Sequence, residues 1–305
     1  MVTIKQVRVY SPGSIANLGP GFDVFGIALE GIGDIVLLKQ KRESGIKINI
    51  QGIGSDKIPI IPSENSSGAI LEHIIEEHGV KQGFEVDIRK GIPPGKGMGS
   101  SGASASATAL AVNKLMELNL KDEELVELAA LGEGAVAGAP HADNVSASIL
   151  GGFVMISENW EFIRMDSPRF GIVVAVPDIY LENKTRVARE LLPEKVPLKD
   201  AVRNINYASR MAVAIAHKDP VLFGRNIRDY IIEPYRASMI PCFWDVKQAA
   251  LDAGAYGCSI AGGGPSLFAV GENVYDIGNA MKEAFKDIEC QLYYTQPSNR
   301  GARVI

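Results

Sequence analysis

A glycine-rich turn between a predicted strand and a predicted helix constrains this chain more than any other stretch. Apolar and charged residues alternate over 84–89, the pattern of a half-buried strand. Residues 91–102 read GIPPGKGMGSSG, and the alanine-rich stretch 103–118 contains no proline and favours a helix. Glycines let a ligand approach the backbone closely, and a helix that begins at Ser100 and Ser101 directs N–H groups into the turn. We therefore predict a phosphate-binding loop.

The residue order in the turn excludes two common phosphate-binding motifs. The turn is not a Walker A loop, because Lys96 precedes Gly97 and no Gly-Lys-Ser/Thr occurs. It does not fit the dinucleotide-binding fingerprint, because the final glycine spacing is missing and no strand ending in an acidic residue follows about 20 residues later. A tight strand-to-helix connection with a serine N-cap is the alternative that involves no ligand.

The stretch 93–101, PPGKGMGSS, resembles the phosphate loop of the GHMP kinases, the family of galactokinase, homoserine kinase, mevalonate kinase and phosphomevalonate kinase. Two further stretches occur in the order typical of the family. Residues 16–23, ANLGPGFD, resemble the N-terminal motif of its homoserine kinases, and residues 262–265, GGGP, resemble the third motif, which packs beside the phosphate loop. Three positions depart from the usual residues: Met98 replaces leucine, Gly102 replaces alanine and Ala261 replaces serine.

The resemblance implies an α+β fold of two domains, the GHMP kinase fold. Residues 1–165 would form a ribosomal-S5-like ATP-binding domain, and residues 166–305 a ferredoxin-like C-terminal domain. A length of 305 residues suits two domains. The boundary is placed where the pattern restarts, before the apolar run 170–176 that ends at Pro177.

The resemblance also implies ATP and Mg²⁺ as cofactors. The implied ATP-binding residues are Pro93, Pro94, Gly95, Lys96, Gly97, Met98, Gly99, Ser100, Ser101, Gly102 and Ala103. Ser101 and Glu133 would hold Mg²⁺ and take part in catalysis, in keeping with the preference of Mg²⁺ for few oxygen ligands. A single helical glutamate is otherwise usually a solvated surface residue.

The homoserine kinase motifs further imply an amino-acid substrate. Asp23 would attract its ammonium group and Arg189 and Arg236 its carboxylate, which a planar guanidinium can meet with two hydrogen bonds. Asn144 would orient the attacking hydroxyl. The implied substrate-binding residues are Asn17, Asp23, His141, Asn144, Thr185, Arg189, Arg236 and Gly263. Polar residues of the turn-rich stretch 11–23 could instead only satisfy turn backbone.

Residues 141–144, HADN, resemble a substrate-facing segment of the homoserine kinases. Asp143 is a catalytic candidate, because the corresponding aspartate of mevalonate kinases is a base. Homoserine kinases are thought to rely on positioning, so this role stays open. A metal site at His141 and Asp143 is disfavoured, since Mg²⁺ prefers oxygen ligands. His73 and His78 lack a neighbouring cysteine pair and are better explained as solvated helix residues.

Composition excludes several functional classes. A net charge of −5 provides no basic field for nucleic acid, and no apolar run could span a bilayer or serve as a signal segment. Three cysteines without a CxxC pattern indicate unreactive thiols in a reducing compartment. The resemblance implies phosphorylation of L-homoserine in threonine biosynthesis, and we expect the protein to be a cytoplasmic homodimer. Another GHMP kinase, of mevalonate or archaeal shikimate type, and a non-catalytic sensor with the same fold are the alternatives.

Overall fold

The computed structural model describes residues 5–137, 142–157, 160–179 and 184–305, with only the backbone described at 137 and 184–186. The strands are β1 Gln6–Ala16, β2 Phe25–Lys41, β3 Ile46–Gly52, β4 Gly83–Lys90, β5 Phe153–Ile156, β6 Phe162–Met165, β7 Gly171–Pro177, β8 Gly257–Ile260, β9 Leu267–Gly271, β10 Cys290–Thr295 and β11 Arg303–Val304. The α-helices are α1 Ser66–His78, α2 Ser100–Met116, α3 Asp122–Ala137, α4 Ala142–Leu150, α5 Lys184–Glu190, α6 Leu198–Ala216, α7 Pro220–Arg225, α8 Glu233–Arg236, α9 Phe243–Asp252 and α10 Val274–Ala284.

The first sheet has the strand order β11-β1-β2-β4-β3, and β5 pairs with β2 and with β6. Its pairs are antiparallel except β3 with β4, which are parallel and are connected through α1. Helix α2 packs on β1 and β2, and α1 and α3 pack on α2. The alternation in β4 buries Phe84, Val86 and Ile88 against these helices, as the sequence predicts.

The second sheet has the order β10-β7-β9-β8 and is antiparallel throughout. Helices α9 and α10 pack against it. A core cluster that includes Ile27 and Phe153 of the first sheet and Val174 of the second joins the two layers. The Phe153 ring meets Phe223 of α7 edge-on, with 6.3 Å between ring centroids. This shared core holds the two sheets against each other and leaves a cleft between them at the start of α2.

The predicted α+β class is confirmed by these mixed sheets and helices. The chain passes from the first sheet to the second between Met165 and Gly171, but β11 returns to the first sheet and pairs with β1. The division at residue 165 stays a prediction. No helix in the described part of the chain is long and apolar enough to cross a membrane.

The three cysteines are free thiols. Burial raises the pKa of Cys258 to about 12 and that of Cys290 to about 11. A thiol with such a pKa carries almost no thiolate at neutral pH and is a weak nucleophile. The burial of these two thiols agrees with the sequence-based prediction that they are unreactive.

Candidate active site

A cleft at the N-terminal end of α2 has a cavity volume of about 360 Å³. Its lining includes residues of the first sheet, such as Ile88, and of the loop between β8 and β9 in the second sheet, such as Gly262. The predicted site residues that line it are Asn17, Asp23, Pro94, Gly95, Gly97, Gly99, Ser100, Ser101, Glu133, Asp143, Asn144, Arg189, Arg236 and Gly263. His141 lies outside the described residues, and the side chain of Thr185, in α5, is not described. The fold thus brings predicted phosphate-binding and substrate-binding residues from distant parts of the chain together.

Five predicted ATP-binding residues do not line this cleft, namely Pro93, Lys96, Met98, Gly102 and Ala103. Met98 and Ala103 are fully buried in the core shared by the two sheets. The Lys96 ammonium donates hydrogen bonds to the carbonyl oxygens of Pro177 (2.9 Å) and Ile179 (3.0 Å). Burial lowers the pKa of Lys96. A contact of Lys96 with a phosphate would therefore involve its backbone.

Residues 93–101 are called the phosphate loop here, after the family motif that they resemble. The loop bends at Gly95, Gly97 and Gly99, whose φ angles of 71°, 83° and 65° lie in the left-handed region. Gly99 is the N-cap of α2, and the Ala103 N–H donates to the Gly99 carbonyl at 2.8 Å. The N–H groups of residues 100–102 come before this first helical bond and lie at the positive end of the helix dipole. This arrangement suits an anion such as a phosphate.

The loop of residues 261–264 packs directly on the phosphate loop. A Cβ built on Gly97 would lie 2.1 Å from the Ala261 carbonyl oxygen, so only glycine fits there. Asn17 adds a second link from the N-terminal motif, because its Nδ2 donates to the Gly262 carbonyl at 2.9 Å. The three stretches that resemble family motifs therefore meet at one point.

Gly97→Ala is expected to lower kcat/KM for ATP at least about tenfold and to reduce the free energy of unfolding by about 2 kcal/mol, because a methyl group adds a backbone clash to the unfavourable positive φ. Initial rates and urea unfolding measure both effects. Gly79→Ala is the control, since Gly79 ends α1 with φ 60° and open space around it. The control should lose stability and keep its activity. An equal loss of activity in both variants would contradict a role for this close packing.

A buried lysine joins the phosphate loop to the first sheet. Lys90 ends β4, and its ammonium donates to the Asp34 carboxylate. It also donates to the Ser100 carbonyl and to the Ser104 hydroxyl, both at 2.8 Å. Burial lowers the pKa of Lys90, and the Asp34 carboxylate opposes that shift. These contacts fix the first turn of α2 against β4.

The two predicted magnesium ligands are in contact. Ser101 Oγ donates to Glu133 Oε1 at 3.1 Å, and both residues line the cleft beside the phosphate loop. A hydroxyl and one carboxylate form an all-oxygen donor set, which fits Mg²⁺ bound partly through substrate phosphates.

The alternative of a serine N-cap for α2 is wrong, because Gly99 occupies the N-cap position and no side chain caps the helix.

Two arginines and one aspartate that line the cleft lie close together. Arg189 Nη2 lies 3.1 Å from Asp23 Oδ2. The guanidinium carbons of Arg189 and Arg236 lie 5.9 Å and 4.9 Å from the centre of the Phe22 ring. The negative face of that ring attracts both cations and offsets part of their mutual repulsion. Cations and an anion are therefore held side by side, as a zwitterionic ligand requires.

Arg236 is only 6% exposed. Its guanidinium has long hydrogen bonds to the Ala188 and Gly262 carbonyls, at 3.4 and 3.5 Å. Within the described part of the chain, no carboxylate lies within 4 Å of it. Burial lowers the pKa of Arg236, the Asp23 carboxylate opposes that shift and the neighbouring Arg189 adds to it, although an arginine stays protonated. A buried cation that faces a cleft and has no carboxylate in direct contact among the described residues is a strong candidate for binding a ligand carboxylate.

Two carboxylates, the half-buried Asp229 and the buried Glu233, hold the short helix that carries Arg236. Asp229 accepts hydrogen bonds from the N–H groups of Ile231, Ile232 and Glu233, at 2.8–2.9 Å. The Glu233 carboxylate accepts from the Ser259 hydroxyl at 2.5 Å and from the Lys247 ammonium. Burial raises the pKa of Asp229 and of Glu233, and these donors oppose the shifts.

The Asn17 side chain is occupied by the protein itself. Its Oδ1 accepts from the Asp23 N–H at 3.0 Å, and its Nδ2 donates to Gly262. Asn17 and Asp23 have φ angles of 70° and 55°, which asparagine and aspartate tolerate better than other side chains. Asn17 therefore orders the loop that presents Asp23, and its predicted contact with a substrate stays a prediction.

Asp143 and Asn144 lie in the first turn of α4, and both line the cleft. Asp143 Oδ1 accepts from the Asn144 N–H at 2.8 Å and from Asn144 Nδ2 at 3.3 Å. Burial raises the pKa of Asp143 to about 6, and the nearby Asp23 carboxylate adds to that shift. Asn144 Oδ1 accepts from the Ser14 hydroxyl at 3.0 Å. The amide of Asn144 is thus held at both ends.

Two family models match the chain. The model of the GHMP kinases N terminal domain matches residues 65–152, and the model of the GHMP kinases C terminal matches residues 211–287. A curated homoserine kinase of Methanococcus maripaludis is 41% identical over 297 residues, 96% of each chain. The chain is a GHMP kinase. Another curated homoserine kinase, of Pyrococcus abyssi, is 41% identical over 97% of this chain and 98% of its own.

Solved structures agree with this membership. This chain resembles a crystal structure of homoserine kinase from Cytophaga hutchinsonii, with a TM-score of 0.90 and 34% sequence identity. The match covers 100% of this chain and 98% of that one. A mevalonate kinase of L. major has a TM-score of 0.71 at 17% identity over 97% of both chains, which shows the shared fold alone. The two-domain GHMP kinase fold predicted from the sequence is confirmed.

Several residues of the GHMP kinase cleft were not identified from the sequence. Lys57 and Asn65 line it between β3 and α1, where the sequence analysis predicts no site residue. A signal for Lys90 was available, since the alternation that buries Val86 and Ile88 places residue 90 on the same face. Asp229 does not line the cleft, and no such signal points to its contacts with α8, because an aspartate before a helical turn is common on protein surfaces.

Asp143→Asn is expected to lower kcat only about tenfold, since general-base catalysis is typically worth roughly 10²–10⁴-fold. Asparagine keeps an oxygen for the Asn144 N–H.

The raised pKa of Asp143 also affects the stability of the protein. Between about pH 4 and pH 6 the folded state retains a proton that the unfolded state loses, so the free energy of unfolding of the wild type falls by about 3 kcal/mol as pH rises. In urea unfolding at pH 4 and pH 7 the variant should lose less stability than the wild type by about this amount, because Asp229 and Glu233, whose pKa values are also raised, are present in both proteins. A 10³-fold loss of kcat would instead assign Asp143 as the base.

Proposed function

We propose that this GHMP kinase is a homoserine kinase, which transfers the γ-phosphoryl group of ATP to the hydroxyl of L-homoserine and forms O-phospho-L-homoserine for threonine biosynthesis. The observation that carries the proposal is the buried Arg236 guanidinium, which faces the same cleft as the phosphate loop. The homoserine kinases among its relatives, at about 40% identity over nearly the full length, support it.

The residues of the cleft divide into two groups with different tasks. The N–H groups at the start of α2 would bind the phosphates of ATP, with the helix dipole favouring their charge. Ser101 and Glu133 would hold Mg²⁺, which supplies charge neutralisation on the transferred phosphoryl group when bound. Phosphoryl transfer requires little covalent help, so the remaining task of the protein is to place the acceptor hydroxyl in line.

The second group would hold the amino acid. Asp23 offers a carboxylate to its ammonium group, while Arg189 and Arg236 offer guanidinium groups to its carboxylate. The Asp23–Arg189 ion pair is 42% exposed on both sides, so a zwitterion can exchange partners with it at low cost. Asn144 would orient the hydroxyl. Mevalonate carries a carboxylate and no ammonium group, so Asp23 favours an amino acid over mevalonate.

Release of ADP from Mg-ATP, measured in parallel with L-homoserine, mevalonate, shikimate and galactose, tests the proposal. Turnover with L-homoserine alone is the expected result. Turnover with another acceptor would retain the phosphate-site assignments and overturn those of Asp23, Arg189 and Arg236. No turnover with any of the four acceptors, despite measurable ATP binding, would favour a sensor and overturn the proposed function.

We also propose that the enzyme acts in the cytoplasm as a homodimer. Helix α6 has a second apolar stripe, separate from its buried face, in which Leu198, Val202, Ile205 and Val213 are 49–80% exposed. These residues lie at the spacing of one helix face, and an exposed apolar stripe of this kind is typical of an association surface. Light scattering should give twice the monomer mass, and Val202→Glu should give a monomer.

A further inference from the structure

Ser14 occupies an unusual position in β1. The pairing of β1 with β2 is interrupted between Pro12 and Ser14, where the partner residue changes from Gly33 to Ala28. Irregularities of this kind redirect side chains and are common beside active sites. Ser14 is fully buried and does not line the cleft, but its hydroxyl contacts Asn144, which does.

Ser14 contacts both parts of the site that phosphoryl transfer must align. Its backbone N–H donates to the Met98 carbonyl of the phosphate loop at 3.2 Å. Its hydroxyl lies 3.0 Å from Asn144 Oδ1 and 3.2 Å from the Asn144 carbonyl. Ser14 therefore connects the phosphate loop directly to the Asn144 amide.

The same contacts determine which way the Asn144 amide faces. The Ser148 hydroxyl donates to Ser14 Oγ at 3.4 Å, which leaves the Ser14 proton for Asn144. A reversed amide would place its oxygen against the Asp143 carboxylate, which now accepts from Nδ2 at 3.3 Å. With Oδ1 held by Ser14, the second hydrogen of Nδ2 remains for a ligand in the cleft.

We propose that Ser14 is a positioning residue for phosphoryl transfer, which holds Asn144 so that its amide offers a hydrogen-bond donor to the oxygen of the acceptor hydroxyl. The inference rests on the proposed function and deepens it. A donor at that oxygen leaves the proton of the hydroxyl directed away from Asn144, so the amide orients the nucleophile and does not deprotonate it.

A double-mutant cycle tests the proposal, with kcat and both KM values measured for the wild type, Ser14→Ala, Asn144→Ala and the double variant. Ser14→Ala should lower kcat about tenfold, the effect of losing one buried hydrogen bond, and leave KM for ATP unchanged, because the backbone bond to Met98 remains. In the Asn144→Ala background, removal of the Ser14 hydroxyl should have no further effect on kcat. Additive losses, or an unchanged kcat in Ser14→Ala, would overturn the proposal.

Ser11→Ala is the matched control. Ser11 lies on the same strand and is fully buried, and its hydroxyl has no hydrogen-bond partner in the described part of the chain. Removal of the Ser11 hydroxyl should leave kcat unchanged, and a drop equal to that of Ser14→Ala would assign both effects to packing.

Ser14→Cys, with a weaker donor of similar size, should give an intermediate kcat even if the alanine variant folds poorly. Absence of turnover of L-homoserine by the wild type would count against the proposed function, whereas an active wild type with an equally active Ser14→Ala counts against Ser14 alone.

Discussion

Replacement of Arg236 by alanine is expected to raise KM for L-homoserine by about 10²-fold or more and to leave KM for ATP within about twofold. The guanidinium is buried and faces the cleft without a carboxylate within 4 Å in the described residues. Loss of one partner of a buried charge pair typically costs about 2–5 kcal/mol. Steady-state rates at varied concentrations of each substrate separate the two KM values.

The chain offers a control for this substitution. Arg225 is an exposed arginine at the end of α7 that does not line the cleft. Arg225→Ala should leave both KM values unchanged. Equal increases in both KM values for Arg236→Ala would mean that Arg236 supports the cleft as a whole, and the assignment of Arg236 to the substrate carboxylate would then be wrong.

Replacement of Glu133 by glutamine should lower kcat by about 10³-fold, because loss of a metal-bound carboxylate removes several kcal/mol of charge stabilisation. The variant should also require more Mg²⁺ for half-maximal activity. Ser101→Ala should show the same shift in Mg²⁺ dependence with a smaller fall in kcat, since a neutral hydroxyl contributes less to a metal site than a carboxylate.

Glu127→Gln is the matched control, because Glu127 lies on the same helix and is exposed. It should retain both kcat and the Mg²⁺ dependence of the wild type. If Glu133→Gln also retained both, Glu133 would have no part in metal binding, and its contact with Ser101 would only connect α3 to α2.

The parts of the site that are local in sequence were the most predictable. The strand, phosphate loop and helix follow one another within residues 83–116, so alternation, glycine content and helix propensity describe them directly. The positions of Arg236 and Asn144 depend on the folding of distant segments onto one cleft. They were predicted only because the chain resembles a known family.

Other features depend on tertiary contacts that no local pattern reports. Residues 11–16, SPGSIA, are rich in turn formers, yet β1 continues to Ala16 because Ile15 and Ala16 pair with Ile27 and Gly26 of β2. Sheet pairing outweighs local propensity here. The role of Ser14 was likewise invisible, since it arises from a change of register between two strands.

The pairing of β11 with β1 affects the order in which the protein can be assembled during synthesis. Val304 pairs with Val9, so β1 acquires this outer neighbour only after residues 303–304 have been synthesised. Until then β1 presents an unpaired strand edge, which can template association with other chains. Strand β1 is therefore synthesised well before β11, the strand that covers its edge, and this interval is when chaperone protection would be most useful.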